Sequence, residues 1–230
     1  MFTKSLITGE AAQRFIQMMG TDTGRNAHLG NAETMESGAK PFVLSAHIAI
    51  RDGIAKVQAL VDDKTRSEPE KHAAARKVAN QTCEAVTKAQ ENLKKHGETL
   101  TNDAMNSINA FFRNSAASDP GIRSDIRAWI KETMKTETGT ATVRMEAEKD
   151  PRVAAELYEA PTFLTGVTQR FRDDVTTDVM LKRAPEVADR LTAGVEIAKL
   201  ANGYDKIARE IHPHFYNPML ADQAATRVEV

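Results

Sequence analysis

Apolar residues recur along most of this chain at intervals of three and four, the period of a helix packed on one face. The clearest run is Val43, His47, Ile50, Ile54, Val57 and Val61, spaced 4, 3, 4, 3, 4. A second run follows at His72, Ala75, Ala79, Thr82, Val86, Ala89, Leu93 and His96, with the same alternation of three and four. Both are heptad seams, the mark of helices that pack along their length on other helices. Between them, Ser67-Glu68-Pro69-Glu70 is a start signal. Glu70 can reach back to the Ser67 N–H, and a proline in the first turn loses no hydrogen bond. The two seams predict an antiparallel hairpin over 43–66 and 68–96, with a tight turn at Thr65–Ser67. Folded about that turn, Val61 meets His72, Val57 meets Ala75, Ile54 meets Ala79, Ile50 meets Thr82 and Val43 meets Ala89. A branched side chain faces a small one in most layers, so the axes can approach closely. Gly97 reads as the left-handed stop. Leu93 and His96 overhang the first helix and need another partner.

The rest of the chain breaks into shorter patterns. A helix is expected from Thr8-Gly9-Glu10 to Gly20. Residues 21–40, rich in Gly, Asn and Thr, read as a long loop or arm. Leu100 to Phe112 forms a separate amphipathic helix. Asp119-Pro120 starts a helix with Ile122, Ile126, Trp129, Ile130 and Met134 on its apolar face. The Thr-rich residues 136–142 read as a hinge, and Val143–Lys149 as a short helix. Asp150-Pro151 starts another, and Pro161 precedes one long pattern from Phe163 to Val179. Pro185 opens a helix with Val187, Leu191, Val195 and Ala198 inward and Asn202-Gly203 as its stop. These X-Pro pairs are helix starts, not strand signals. From His212, with Pro213 and Pro218, the period is lost and an extended C-terminal arm is expected. Its last five residues, Thr226–Val230, alternate as a strand added to a neighbour's sheet edge would.

The expected fold is therefore all-α: an elongated helical bundle built on a long antiparallel hairpin, with an extended N-proximal loop and a C-terminal arm. The expected division is 1–136, 137–211 and the arm 212–230. Composition fits this. Only 5% of residues are aromatic and 27% are charged, which suits thin helical layers better than a thick globule. The single Cys excludes a disulfide framework and points to a reducing compartment. A net charge of −1 offers no basic excess for nucleic acid. No apolar run approaches the ~18–20 residues of a membrane span, and the N-terminus has no secretory h-region.

Nucleotide-loop, zincin, nucleophile-elbow and di-iron motifs are absent, and no cofactor is expected. His212 and His214, flanking Pro213, could share a metal but lack a third ligand nearby. With Phe215 and Tyr216 they read instead as a docking arm. His47, His72 and His96 sit on the seams, where protonation could loosen packing. Cys83 reads as a small apolar filler. Asp173, Asp174 and Asp178 cluster on a helix, with Arg170, Arg172 and Lys182 placed for ordinary ion pairs. Arg123, Arg127, Lys131 and Lys135 form an i, i+4, i+8, i+12 row, a solvated flank or a grip for an acidic partner.

The function expected is a non-enzymatic structural or connector subunit of a larger assembly, a phage- or virion-type particle being one setting. Its partners would be proteins, including copies of itself, and its place the cytoplasm or a particle assembled there. Two alternatives stand beside it. One is a helical adaptor that binds an acidic or peptide partner through Arg123–Lys135. The other is an enzyme with an unrecognised site, for which His212, His214 and the Asp174–Asp178 pair are the candidates.

Overall fold

The computed structural model describes residues 6–225; Thr226–Val230, the expected edge strand, lies outside them. Among the described residues there are eleven helices and no strand. In chain order they are α1 (Glu10–Gly20), α2 (Asp22–Leu29), α3 (Lys40–Asp62), α4 (Glu68–Ser115), α5 (Pro120–Thr133), α6 (Gly139–Lys149), α7 (Pro151–Glu159), α8 (Thr162–Thr165), α9 (Gln169–Arg183), α10 (Pro185–Phe215) and α11 (Pro218–Ala225). The chain forms two compact units, residues 1–98 with 194–230, and residues 99–193. Residues 136–142, read as a hinge, lie within the second unit.

In the first unit the two seams face inward over most of their length, but Val61, expected to meet His72, is 37% exposed. Val43, Ile50, Ile54 and Val57 on α3 are buried, as are Ala75, Ala79, Thr82, Val86, Ala89 and Leu93 on α4. The small side chains let the helices approach closely. At Gly53 a Cβ would stand 2.4 Å from Thr82 Oγ1 and 3.3 Å from the Phe215 ring. The start signal of α4 is present, with the Ser67 N–H donating to Glu70 Oε2 at 2.8 Å. Lys71, almost fully buried, donates to the Val61 carbonyl at 3.1 Å and so caps the end of α3.

Gly97 does not stop α4; the helix runs on to Ser115 and includes the segment expected to be separate. The glycine serves close approach instead. A Cβ there would lie 2.9 Å from the Gly194 carbonyl oxygen and 3.2 Å from the Ala198 nitrogen. Two backbones meet at that point, and only glycine fits. Leu93, expected to overhang, is fully buried, and His96 lies 2.6 Å from Glu36 Oε2.

Three further expectations are corrected. Residues 22–29 are helical. Thr21 caps α2 by accepting from the Gly24 N–H at 3.1 Å, and Gly30 at φ 87° ends it. Buried Arg25 explains the position of α2, because it donates to the Met19 and Gly20 carbonyls at the end of α1, both at 2.9 Å. Asn202-Gly203 does not end α10, which continues to Phe215. The stripe Ile197, Ala201, Tyr204, Ile207, Ile211 and Phe215 is buried throughout, and this burial outweighs one glycine's helix cost of ~1 kcal/mol. Finally, His212–Phe215 is the last turn of α10, and Pro218–Ala225 is helix α11, so no extended arm is present there. Pro213 cannot donate to the Arg209 carbonyl, yet α10 continues through it to Phe215, whose side chain is fully buried.

The second unit packs short helices around Phe112, Ile130, Val143, Leu157, Val175 and Val179. Its X-Pro starts hold. Asp119 accepts from the Gly121 N–H at 2.7 Å, and Asp150 from the Arg152 N–H at 2.9 Å. Phe112 stacks on Tyr158 at 4.3 Å between ring centroids. The long pattern expected after Pro161 is divided, however. Gly166 adopts φ 70°, ending the four-residue α8 before Thr168 caps α9. Helix α6 begins at Gly139, four residues before Val143.

Candidate functional site

The basic row on α5 is largely engaged within the second unit. Arg123 Nε donates to Glu156 Oε1 at 2.5 Å, and its other guanidinium arm to Glu159 Oε2 at 2.7 Å. Arg127 lies 3.5 Å from Glu156 Oε2. Glu156 is fully buried, so the two arginines neutralise a carboxylate that α7 carries into the core. Lys135 pairs with Glu132 at 2.7 Å. Only Lys131 of the row makes no ion pair among the described residues; its stem runs beside Gly166.

The residues expected on a docking arm dock internally in the first unit. Phe215 is fully buried. Phe15 lies 5.0 Å from the His214 ring and 6.4 Å from the Phe215 ring. His212 Nδ1 is 3.3 Å from the Tyr216 hydroxyl, and the Arg76 guanidinium lies over the Tyr216 ring at 5.3 Å. Arg76 also bonds Asp222 at 2.7 Å and the Pro218 carbonyl at 3.2 Å, which ties α11 to α4. His72 is buried, and its Nδ1 accepts from the Asn217 N–H at 3.0 Å. His214, His72 and Tyr216 line one shallow cavity of about 290 Å3.

The remaining candidates are dispersed. Among the described residues no three of His, Cys, Asp or Glu are grouped to hold a metal ion. Asp174 pairs with Arg170 at 3.9 Å, Asp173 with Arg172 at 3.3 Å, and Asp178 with Arg144. Cys83 is half-buried, its sulfur 3.7 Å from the Ala208 carbonyl oxygen. His47 donates to the Gly30 carbonyl at 3.0 Å, and burial pushes its pKa down.

The surface feature not read from the sequence lies on α5. Trp129 and Ile122 were expected inward, yet they are 38% and 43% exposed. With Ile126 of α5 and Val153 of α7 they form the apolar floor of a groove of about 500 Å3, rimmed by Asp125 and Glu146. Neither rim carboxylate forms an ion pair among the described residues. On α8, Phe163 is 74% exposed and Leu164 is exposed as well. The sequence carried no signal for this, because Ile122 and Trp129 are apolar and in phase with the buried Ile130 of the same helix.

The chain matches no protein-family model, no curated protein and no solved structure. No helix among the described residues is long and apolar enough to cross a membrane.

Proposed function

We propose that the chain is a structural or connector subunit of a larger protein assembly, made and assembled in the cytoplasm, that docks through the outward faces of its helices. The observation that carries this reading is the set of large apolar side chains left at the surface. Ile122, Trp129, Phe163 and Leu164 in the second unit, and Leu44 and Ile48 one turn apart on α3 in the first, are all exposed. Ile122 and Trp129 line one groove and Leu44 and Ile48 lie one turn apart, and exposed apolar residues that are grouped, not scattered, mark interaction surfaces. The adaptor reading through Arg123–Lys135 has less in its favour, because Glu156 and Glu159 already occupy the two arginines.

The test is the mass of the purified chain by light scattering across a concentration series. The reading expects species heavier than the 25.3 kDa chain, diminished in Ile48→Ser and Phe163→Ser. A strict monomer at high concentration contradicts it.

A further inference from the structure

The groove on α5 has three properties that belong together. Its floor is apolar and includes the only Trp of the chain. Its rim carries two carboxylates, Asp125 and Glu146, with no cation paired to either among the described residues. The Trp129 indole N–H has no acceptor among the described residues and is left as a donor at the surface. The other acids on the helices around the groove are matched: Glu156 and Glu159 have Arg123, Glu148 has Lys182, and Asp178 has Arg144. Asp125 and Glu146 are thus two carboxylates without an ion pair beside the exposed apolar floor.

We infer that the Trp129 groove is a docking site for an amphipathic, positively charged segment of another protein. The inference rests on the connector reading above and names one surface and its occupant. Apolar side chains on one face of such a segment cover Ile122, Ile126, Trp129 and Val153. Flanking Lys or Arg residues meet Asp125 and Glu146. The indole N–H donates to a carbonyl or hydroxyl of the segment. Helix-in-groove binding with a Trp anchor is a recurrent mode. The two carboxylates select for sign: an acidic segment meets like charge, while a basic one gains complementarity. Binding should weaken with added salt, since the rim is wet.

The single Trp reports on its own site. The full chain is titrated with a synthetic amphipathic peptide of leucine and lysine, and separately with its leucine–glutamate counterpart. The expected result is a saturable blue shift of Trp129 emission with the basic peptide and none with the acidic one. In the Asp125→Asn/Glu146→Gln double variant, whose circular dichroism is checked first, the basic peptide binds weaker by about tenfold or more. No shift, equal response to both peptides, or unchanged affinity in the double variant overturns the inference. A blue shift that appears with chain concentration alone, and is lost in the double variant, assigns the groove to a second copy and also overturns it. The connector reading fails separately. A chain that stays monomeric yet binds the basic peptide through its rim charges keeps the groove and loses the connector. A heavier species whose Trp129 ignores the peptide does the reverse.

Discussion

Gly53 on α3 faces Thr82 on α4 so closely that a methyl group at position 53 would stand 2.4 Å from the threonine hydroxyl oxygen. The hairpin seam therefore depends on small side chains on both helices, not only on α4. On an open helix, Gly→Ala stabilises by about 1 kcal/mol. Here the expected sign is reversed, because an inserted methyl must displace a β-branched side chain, at a typical cost of about 1–3 kcal/mol. Gly53→Ala should lower the melting temperature, and adding Thr82→Ala should recover most of the loss. A double-mutant cycle in urea measures that coupling.

Gly97→Ala should be worse and should resist rescue. Its new methyl meets the backbone oxygen of Gly194 and the backbone nitrogen of Ala198, which no side-chain rotation can move. The expected loss is at the upper end of about 1–3 kcal/mol. A gain in stability, as at a solvent-facing helical glycine, would show that α4 and α10 do not meet there.

Glu36 should govern stability in acid. Partial burial pushes its carboxyl up, but this is outweighed by the Gly38 N–H, His96, Ser37 and the Ala39 N–H, which together hold it at about 2 against an ordinary 4.5. The depressed folded value means the unfolded chain binds the proton first. The contribution is complete above about 4.5 and is lost as pH falls toward about 2. Urea unfolding of the parent chain and Glu36→Gln from pH 6 to pH 2 (~4 units, spanning both values) should show the parent's advantage shrinking over that window. A constant difference would contradict the hydrogen bonds at α3.

The α5 basic row should divide by residue. Arg127→Glu places a second carboxylate beside buried Glu156, which then keeps only Arg123, and the added like charge should cost about 1–3 kcal/mol. Lys131→Glu alters an exposed side chain with no ion pair among the described residues and should stay within about 0.5 kcal/mol. Denaturant midpoints check both. Equal, small effects would show that Glu156 is not held by the arginines.

The hairpin was legible in the sequence because two long seams of complementary size carry redundant information: misplacing one residue leaves the period intact. The helix ends were harder. Gly97 and Gly203 look like stops on local grounds, yet both sit within long helices, one where two backbones touch and one on a stripe that burial carries to Phe215. The reverse error occurred at residues 22–29. Thr21 and Gly30 are a valid start and stop, but polar composition hid a short helix whose place depends on Arg25 capping α1. At the candidate site, Trp129 is apolar and in phase with its neighbours, so only the packing of α6 and α7 decides that it remains open. The basic row was visible; its engagement by Glu156, a residue 33 positions from Arg123, was not.

Native mass spectrometry of the full chain over a range of concentrations tests the connector reading most directly. Species at multiples of 25.3 kDa are expected, and they should persist in Asp125→Asn/Glu146→Gln if the groove serves the proposed basic segment and not a second copy. A single 25.3 kDa species at every concentration would contradict it.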